Sequence, residues 1–253
     1  MKRLLFFLTV LMLGRPAMAL EVEHIIHTTV GPFETSQETL VYKFFGANGY
    51  DVKTGIKTLG TFDTLYPFSA DYHAYGTYNK SQFLPQDYYY ETQSRFRHRT
   101  KRIVYKNGVP QYRISTKGEK KRQDDIIIDE KYGNSNDLLS TFGELIHKIV
   151  TDGSCDFERF SFDGKHYSRS KVKFLGFENI HTPFFSGNAM KCQYHLEVLD
   201  DAEAGFMLSK DEPVYFWALQ DQKTNTWFLA RILVEKTPFG KMESLTTSIK
   251  VKP

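Results

Sequence analysis

Four basic residues at alternating positions are the clearest candidate for a binding function in this sequence: Arg95, Arg97, Arg99 and Lys101. Successive side chains of a β-strand point to opposite faces, so the four would share one face and Tyr88 and Tyr90 the other. Guanidinium groups bind phosphate through paired hydrogen bonds, so the stripe would suit an anionic headgroup or a sugar phosphate. The alternative is a solvated face paired with acidic side chains, for which the candidates are Asp124, Asp125, Asp129 and Glu130.

Cys155 and Cys192 are the only cysteines of the chain. Alternation places each on the apolar face of a predicted strand, and an even pair in an oxidising compartment indicates a disulfide. The bond would close a loop of about 38 residues and stabilise the fold by roughly 4 kcal/mol. The alternative is two buried free thiols that only pack. A reactive thiol is disfavoured because neither cysteine has a CxxC partner or a neighbouring cation.

Patterns of catalytic and metal-binding residues are missing from the sequence. His24 and His27 are three apart on a predicted strand and therefore on opposite faces, and no HExxH motif occurs. There is no GxSxG motif and no phosphate-binding glycine loop. The sequence thus predicts a protein that is not an enzyme and holds no metal or cofactor, with a hydrolase as the weaker alternative.

The N-terminal residues resemble a cleavable secretory signal spanning residues 1–19. Lys2 and Arg3 precede the apolar run Leu4–Leu13, and Ala17-Met18-Ala19 offers a small-x-small cleavage site. The apolar run is too short to span a bilayer. No cysteine follows the cleavage site, so we expect a soluble periplasmic protein without a lipid anchor, formed by residues 20–253 as a single β-rich domain.

The charge and the aromatic content of the chain bear on the kind of partner that it could bind. The chain has 33 Lys+Arg and 30 Asp+Glu, and loss of Lys2, Arg3 and Arg15 with the signal would leave 30 of each. A neutral chain lacks the positive field that nucleic-acid binding requires. Aromatic residues make up 15% of the chain, which indicates either a large sheet with aromatic cross-strand pairs or an aromatic-lined pocket.

Period-two alternation of apolar and polar residues dominates the chain and predicts an antiparallel β protein. Asn107-Gly108 and Asp163-Gly164 indicate tight hairpin turns. One helix is predicted over residues 136–150, capped by Asn136 or Asp137 and apolar along one face. The stretch Lys117–Asn134, which is highly charged around Ile126-Ile127-Ile128, predicts a mobile loop with a short edge strand. The other strands are predicted at Val22–Val30, Glu38–Phe45, Tyr50–Thr58, Asp71–Tyr78, Asp87–Tyr105, Gln111–Ser115, Met190–Val198, Val214–Leu219, Trp227–Val234 and Glu243–Val251.

The second hairpin gives a specific register. If Asp163 and Gly164 form its loop, Phe160 faces Tyr167 and Glu158 faces Arg169, which yields an aromatic pair and an opposite-charge pair on one face. That face would point to water, and the next residues on the other face, Cys155 among them, would point inward.

Several segments together resemble the exported bacterial proteins grouped as domain of unknown function 3108. The matching features are Asp137-Leu138-Leu139-Ser140, Phe162-Asp163-Gly164-Lys165, Lys173–Glu178 and the terminal hairpin from Tyr215 to Gly240. Where such proteins often have an acidic pair and then a proline in the last hairpin, here Asp221 stands alone and Trp227-Phe228-Leu229 contains no proline. The resemblance implies a β-rich envelope protein without established catalysis, and it carries over no site residues.

These observations predict a mainly β fold, an antiparallel barrel or half-barrel sheet with one amphipathic helix, by analogy with envelope lipoprotein carriers. The expected function is non-catalytic binding of an amphipathic lipid or glycolipid in an aromatic-lined cavity. The alternative is an interaction protein that supports envelope assembly through an envelope protein partner and has no small ligand. Neither nucleic-acid binding nor a membrane span is expected.

Overall fold

The computed structural model describes residues 20–46, 48–79, 82–127, 135–199 and 212–252. The predicted signal, residues 1–19, lies outside this range, as do Asp129 and Glu130. Fourteen strands of the described chain form one antiparallel sheet. The strands are β1 (Leu20–Val30), β2 (Phe33–Phe45), β3 (Gly49–Thr58), β4 (Phe68–Tyr78), β5 (Phe83–Ser94), β6 (His98–Lys106), β7 (Val109–Lys117), β8 (Lys120–Asp125), β9 (Phe157–Phe162), β10 (Tyr167–His181), β11 (Ser186–Val198), β12 (Val214–Asp221), β13 (Thr226–Thr237) and β14 (Gly240–Lys252).

The order of strands in the sheet is not a simple meander from one edge to the other. The chain starts in the middle at β1 and runs outward to the edge strand β8. Helix α2 (Leu138–Asp152) then leads to the opposite edge, β9, and the remaining strands run back until β14 pairs with β1. The central pair therefore joins the two ends of the chain, with Glu21 opposite Lys252.

The predicted fold class is confirmed: the sheet is antiparallel and unclosed, with one long amphipathic helix. The turn at Asn107-Gly108 is also confirmed, since both residues have positive φ, as a two-residue type I′ loop requires. The prediction of one strand over Asp87–Tyr105 was wrong, because that segment is divided into β5 and β6. The short edge strand expected within Lys117–Asn134 is present as β8, Lys120–Asp125, and residues 128–134 lie outside the described residues. A short helix, α1 (Gly60–Leu65), was not predicted.

Helix α2 begins at a buried cap. The Asp137 carboxylate accepts hydrogen bonds from the backbone N–H and the hydroxyl of Ser140, each at 2.7 Å. The Ser140 hydroxyl also contacts the Tyr50 hydroxyl of β3 at 2.8 Å. Desolvation raises the pKa of Asp137 to about 6, although these hydrogen bonds favour the carboxylate. The helix ends at Gly153, which takes the left-handed conformation typical of a helix terminus.

Two apolar surfaces of α2 pack against different parts of the sheet. Leu139 and Ile146 belong to a cluster with residues of β1 to β6, whereas Leu145 and Ile149 pack with residues of β10 to β12. Gly143 lies so close to β3 that a Cβ there would be 2.8 Å from a Val52 methyl carbon. The helix thus lies inside the curved sheet and joins its two halves.

The register predicted for the second hairpin was wrong by two residues. Phe162 pairs with Tyr167, so that Phe160 faces Arg169 instead of Tyr167. The reason lies in Asp163, whose carboxylate accepts hydrogen bonds from the N–H groups of Lys165 and His166, both at 2.8 Å. Asp163 is therefore the residue that precedes the loop, and the two loop residues are Gly164 and Lys165. Cys155 is fully buried as predicted, whereas Phe162 and Tyr167, which were predicted to face water, are buried as well.

The structure contains the disulfide that the sequence predicts. Cys155 lies just before β9 and Cys192 on β11, with their Cα atoms 6.4 Å apart. Both cysteines belong to the apolar cluster beneath Leu145 and Ile149 of α2. The bond therefore fixes the edge strand β9 to the body of the sheet across the strand that separates them.

Both cysteines should resist thiol labelling when the protein is denatured without reductant. Reduction should lower the free energy of unfolding by roughly 4 kcal/mol, because the unfolded chain regains the freedom of a loop of about 38 residues. Urea unfolding of the oxidised and reduced protein measures this difference. A Cys155→Ser, Cys192→Ser variant is the control, since reductant should leave its stability unchanged. Labelling of both thiols in the unreduced protein would contradict the prediction.

Candidate functional site

The predicted basic stripe is not a single surface. A turn at Ser94 to Arg97 interrupts the strand, with the Ser94 N–H bonded to the Arg97 carbonyl at 2.8 Å. Arg95 and Arg97 lie in this turn at the end of the sheet, where Arg95 donates a hydrogen bond to the Thr64 carbonyl at 3.0 Å. Only Arg99 and Lys101 lie on a strand, β6. The prediction that the four cations share one strand face was therefore wrong.

Arg99 and Lys101 point into the curve of the sheet. They alternate in phase with Ile103 and Tyr105, both of which are buried in the core. Because β5 and β6 form a hairpin, Tyr90 pairs with Lys101 on this same inner face, contrary to the prediction that the tyrosines lie opposite the stripe. The Lys101 ammonium lies 5.3 Å from the centre of the Tyr90 ring.

Lys101 also bonds to the β9–β10 hairpin at the opposite edge of the sheet. It donates a hydrogen bond to the Asp163 carbonyl at 2.7 Å, and Arg113 of β7 donates one to the Gly164 carbonyl at 2.8 Å. A Cβ at Gly164 would be 3.1 Å from the Ile103 side chain, so the hairpin tip approaches β6 closely. These two hydrogen bonds, here called the latch, connect the β9–β10 hairpin with β6 and β7. Burial lowers the pKa of Lys101, and the Asp163 carboxylate opposes that shift.

A group of polar side chains lies on the inner face beside the latch. The rings of Tyr72 and Tyr90 are 5.7 Å apart, and Glu38 accepts a hydrogen bond from Thr54 at 2.6 Å. Burial raises the pKa of Glu38 and of both tyrosines. The buried Nε of Arg99 has no hydrogen-bond partner in the described part of the chain. We call this group the interior polar cluster; it comprises Glu38, Tyr72, Tyr90, Arg99 and Lys101.

The rest of the interior is occupied by α2. The cavity between the helix and the sheet has a volume of about 30 Å³ and an apolar lining that includes Leu40 and Phe142, so it has no room for a lipid. An open cleft of about 720 Å³ lies beside the C-terminal half of the helix, near His147. Its cations are paired within the cleft, Arg159 with Glu144 and Lys148 with Asp152. Neither of these cations is therefore unpaired for an anionic ligand.

Arg113 and Glu38 are interior residues that the sequence did not indicate. Counting back from the Asn107-Gly108 turn places Arg113 opposite Arg102, on the outer face. A bulge between Val104 and Tyr105 shifts the pairing, so that Arg113 faces Ile103 instead. Glu38 lies on the inner face that the alternation of β2 gives it, although a carboxylate is usually expected to face solvent. Of the alternative partners proposed for the stripe, Asp124 pairs with Arg113 and Arg122 instead, and Asp129 and Glu130 lie outside the described residues.

His24 is a second polar group enclosed by the core. It is fully buried on β1, between the rings of Tyr42 and Phe228, and neither ring nitrogen has a hydrogen-bond partner of good geometry. Burial lowers its pKa to about 4, and the Leu229 carbonyl opposes part of that shift. The imidazole is therefore neutral at neutral pH.

Two classes of site are not found in the described residues. No three His, Cys, Asp or Glu side chains converge there as metal ligands would. Within the same ranges, no helix has both the length and the apolar character needed to cross a bilayer.

A family model described as "Protein of unknown function (DUF3108)" matches residues 25–246 of this chain. The chain belongs to the DUF3108 family. The matched residues include the sheet from β1 to β14, the disulfide and the latch. Among curated proteins, no significant match was found.

A solved structure supports the same architecture for this DUF3108 protein. It is similar to a crystal structure from Brucella abortus described as a beta-barrel-like protein of domain of unknown function DUF1849. The TM-score is 0.50 at 10% identity, over 92% of this chain and 98% of that one. At this identity the likeness shows the fold and nothing about the ligand.

Replacing Lys101 by Met should lower the free energy of unfolding by about 1 to 3 kcal/mol, because the partly enclosed Asp163 carbonyl loses its donor. The control is Lys250→Met, which removes an exposed lysine paired with Glu23 and should cost only a few tenths of a kcal/mol. Urea unfolding measures both. Equal stability of the two variants would show that the latch contributes nothing.

Acid should destabilise the protein through His24. The unfolded chain binds a proton at this residue below about pH 6.5, whereas the folded protein binds it only near pH 4. The stabilising contribution is complete above pH 6.5 and is lost as the pH falls towards 4, by about 3 kcal/mol in total.

The measurement is the free energy of unfolding at several pH values for the wild type and for His24→Phe. The variant should lose this part of the pH dependence. The control is Val22→Ala, which changes a fully buried residue of β1 that does not titrate and should lower stability by the same amount at each pH. Parallel profiles for the wild type and His24→Phe would exclude His24 as the cause.

Proposed function

We propose that this protein is a non-catalytic periplasmic binding protein whose ligand is an amphipathic, anionic component of the cell envelope. The binding region would be the inner face of the sheet between α2 and the end where β1 meets β2. The observation that carries the proposal is Arg99: its Nε is buried without a hydrogen-bond partner in the described part of the protein. A buried donor without an acceptor costs stability, and a ligand that supplies the acceptor offsets that cost.

The surroundings of Arg99 suit both parts of an amphiphile. Lys101 and the hydroxyls of Tyr72 and Tyr90 are near enough to share an anionic group, since these side chains lie on adjacent strands of one face. Across the same face, Ile56 and Ala70 pair on β3 and β4 and provide apolar surface for a chain. Phosphate and carboxylate are the groups that guanidinium binds best.

The compartment is inferred from two features. The disulfide is typical of proteins that fold in an oxidising compartment. The sequence of residues 1–19 has the layout of an export signal. Together they support a periplasmic location, where amphipathic envelope components are the abundant ligands of this chemistry.

The alternative function is an interaction protein that supports envelope assembly and has no small ligand. It is favoured by the packing around α2, where the cavity of about 30 Å³ excludes any lipid. The two functions differ in what Arg99 does: it binds a ligand in the first and has no role in the second. A hydrolase has no support from the geometry of the described residues.

Replacing Arg99 by Met separates the two functions. Protein purified gently from its native envelope should carry an anionic amphiphile that native mass spectrometry detects, and the variant should retain it roughly tenfold less well, because charge-assisted hydrogen bonds are lost. Its stability without ligand should equal or exceed that of the wild type, because a buried unpaired donor is removed.

The matched control is Arg95→Met, which replaces an exposed arginine outside the interior and should leave retention unchanged. If the wild-type protein is repeatedly purified without a bound amphiphile, the proposed binding function is wrong and the interaction function is favoured. Equal retention by the Arg99 variant would remove Arg99 from the site.

A further inference from the structure

Because the strands are antiparallel, the ends of β1, β3, β5, β7, β9, β11 and β13 all point in one direction. The connections after β1, β3, β5, β7 and β13 follow one another along the sheet and form one edge. The connection after β9 is part of the latch, and the one after β11 lies largely outside the described residues. We call this edge the upper rim; it comprises residues 30–35, 57–68, 94–98, 117–121 and 236–241.

Hydrogen bonds join these connections in series. Each of the five is tied to the next by one bond of 2.9 to 3.3 Å, so that the upper rim is a continuous arc and not a set of separate loops. The bonds are Gly31 N–H to the Lys241 carbonyl, Leu59 N–H to the Thr35 carbonyl, Arg95 Nη2 to the Thr64 carbonyl and Gly118 N–H to the His98 carbonyl.

Large apolar side chains project from this arc into solvent. Phe96 is 87% exposed at the tip of the β5–β6 turn, and Phe239 is 70% exposed at the tip of the β13–β14 turn. Neither residue has a place in the core, since both lie beyond the last paired residues of their strands. In all, six large apolar side chains are exposed there: Phe33, Leu65, Tyr66, Phe68, Phe96 and Phe239.

The same arc is strongly positive. Its five segments contain eight lysines and arginines but only three carboxylates, those of Glu34, Asp63 and Glu119. Of the eight cations, Lys241 alone lies within 4 Å of a carboxylate of the described residues, at 3.7 Å from Glu243. The cations include Arg95 and Arg97, the half of the predicted stripe that does not enter the interior.

We propose that the upper rim docks on the surface of an anionic lipid bilayer. Aromatic side chains favour the headgroup level of a bilayer, and unpaired cations are attracted to anionic headgroups. Single aromatic residues at the tips of separate turns, with cations between them, fit a deformable surface better than a rigid protein partner. This proposal concerns a different surface from the interior and does not depend on the proposed ligand.

The test is flotation of the protein with lipid vesicles. Protein purified from cells that express the full chain should float with vesicles of equal parts phosphatidylglycerol and phosphatidylcholine. It should not float with vesicles of phosphatidylcholine alone, and high salt should weaken the binding. Two variants remove the two contributions: Phe96→Ser with Phe239→Ser, and Arg95→Gln with Arg97→Gln. Each should weaken vesicle binding roughly tenfold or more.

Two variants serve as controls for the vesicle-binding test. Phe184→Ser removes a phenylalanine that is 51% exposed at the opposite end of the sheet and should leave vesicle binding unchanged. Arg99→Met should also leave vesicle binding unchanged, whereas the upper-rim variants should leave ligand retention unchanged. Failure of this proposal is thereby distinguished from failure of the proposed function.

Three results would overturn the proposal. They are equal binding to neutral vesicles, undiminished binding by both rim variants, and a self-association detected by sedimentation that Phe96→Ser with Phe239→Ser abolishes while vesicle binding is absent. The last result would assign the upper rim to a second copy of this chain.

Discussion

The buried cap of α2 is the interaction on which the arrangement of the sheet depends. Asp137 fixes the first turn of the helix through Ser140, and Ser140 contacts Tyr50 in one half of the sheet. One residue earlier, the Asn136 carbonyl accepts a hydrogen bond from Phe162 N–H in the opposite edge strand, at 2.7 Å. One half of the sheet, at β3, and the edge strand β9 are therefore both bonded to the start of one helix. This junction fixes the helix terminus that the apolar packing of α2 places between the two halves.

The latch is a second connection between the two halves of the sheet. Its donors are cations, and their chemistry explains why polar groups are stable in this part of the interior. Lys101 and Arg113 bond to carbonyl oxygens of a turn, groups that have no partner within their own hairpin ladder. Cations satisfy such oxygens strongly in a site of low dielectric constant. The next cation on the same face of β6, Arg99, lies outside the latch, and its buried Nε has no hydrogen-bond partner in the described residues.

Much of the fold was predictable because it follows from local patterns. The alternation, the Asn107-Gly108 turn, the single long helix and the cysteine pair each depend on few residues. The candidate site was less predictable because it depends on three local irregularities. The turn at residues 95–97, with the sequence Arg-Phe-Arg, contains no glycine, proline or asparagine. The bulge beside Tyr105 reverses the face of Arg113, and the Asp163 carboxylate moves a turn by one position. The first of these divides a predicted strand and the other two leave the strands in place, yet each decides which cation enters the interior.

The pairing of β1 with β14 determines when the centre of the sheet can fold. The two central strands of the sheet come from opposite ends of the chain, so neither has its full set of backbone partners until the last residues are present. Contacts of such long sequence separation form late, because the entropy of closing the intervening loop must be overcome first. The β1–β14 ladder is therefore absent from a nascent chain until β14 has been synthesised, and β1 has only β2 as a sheet partner until then.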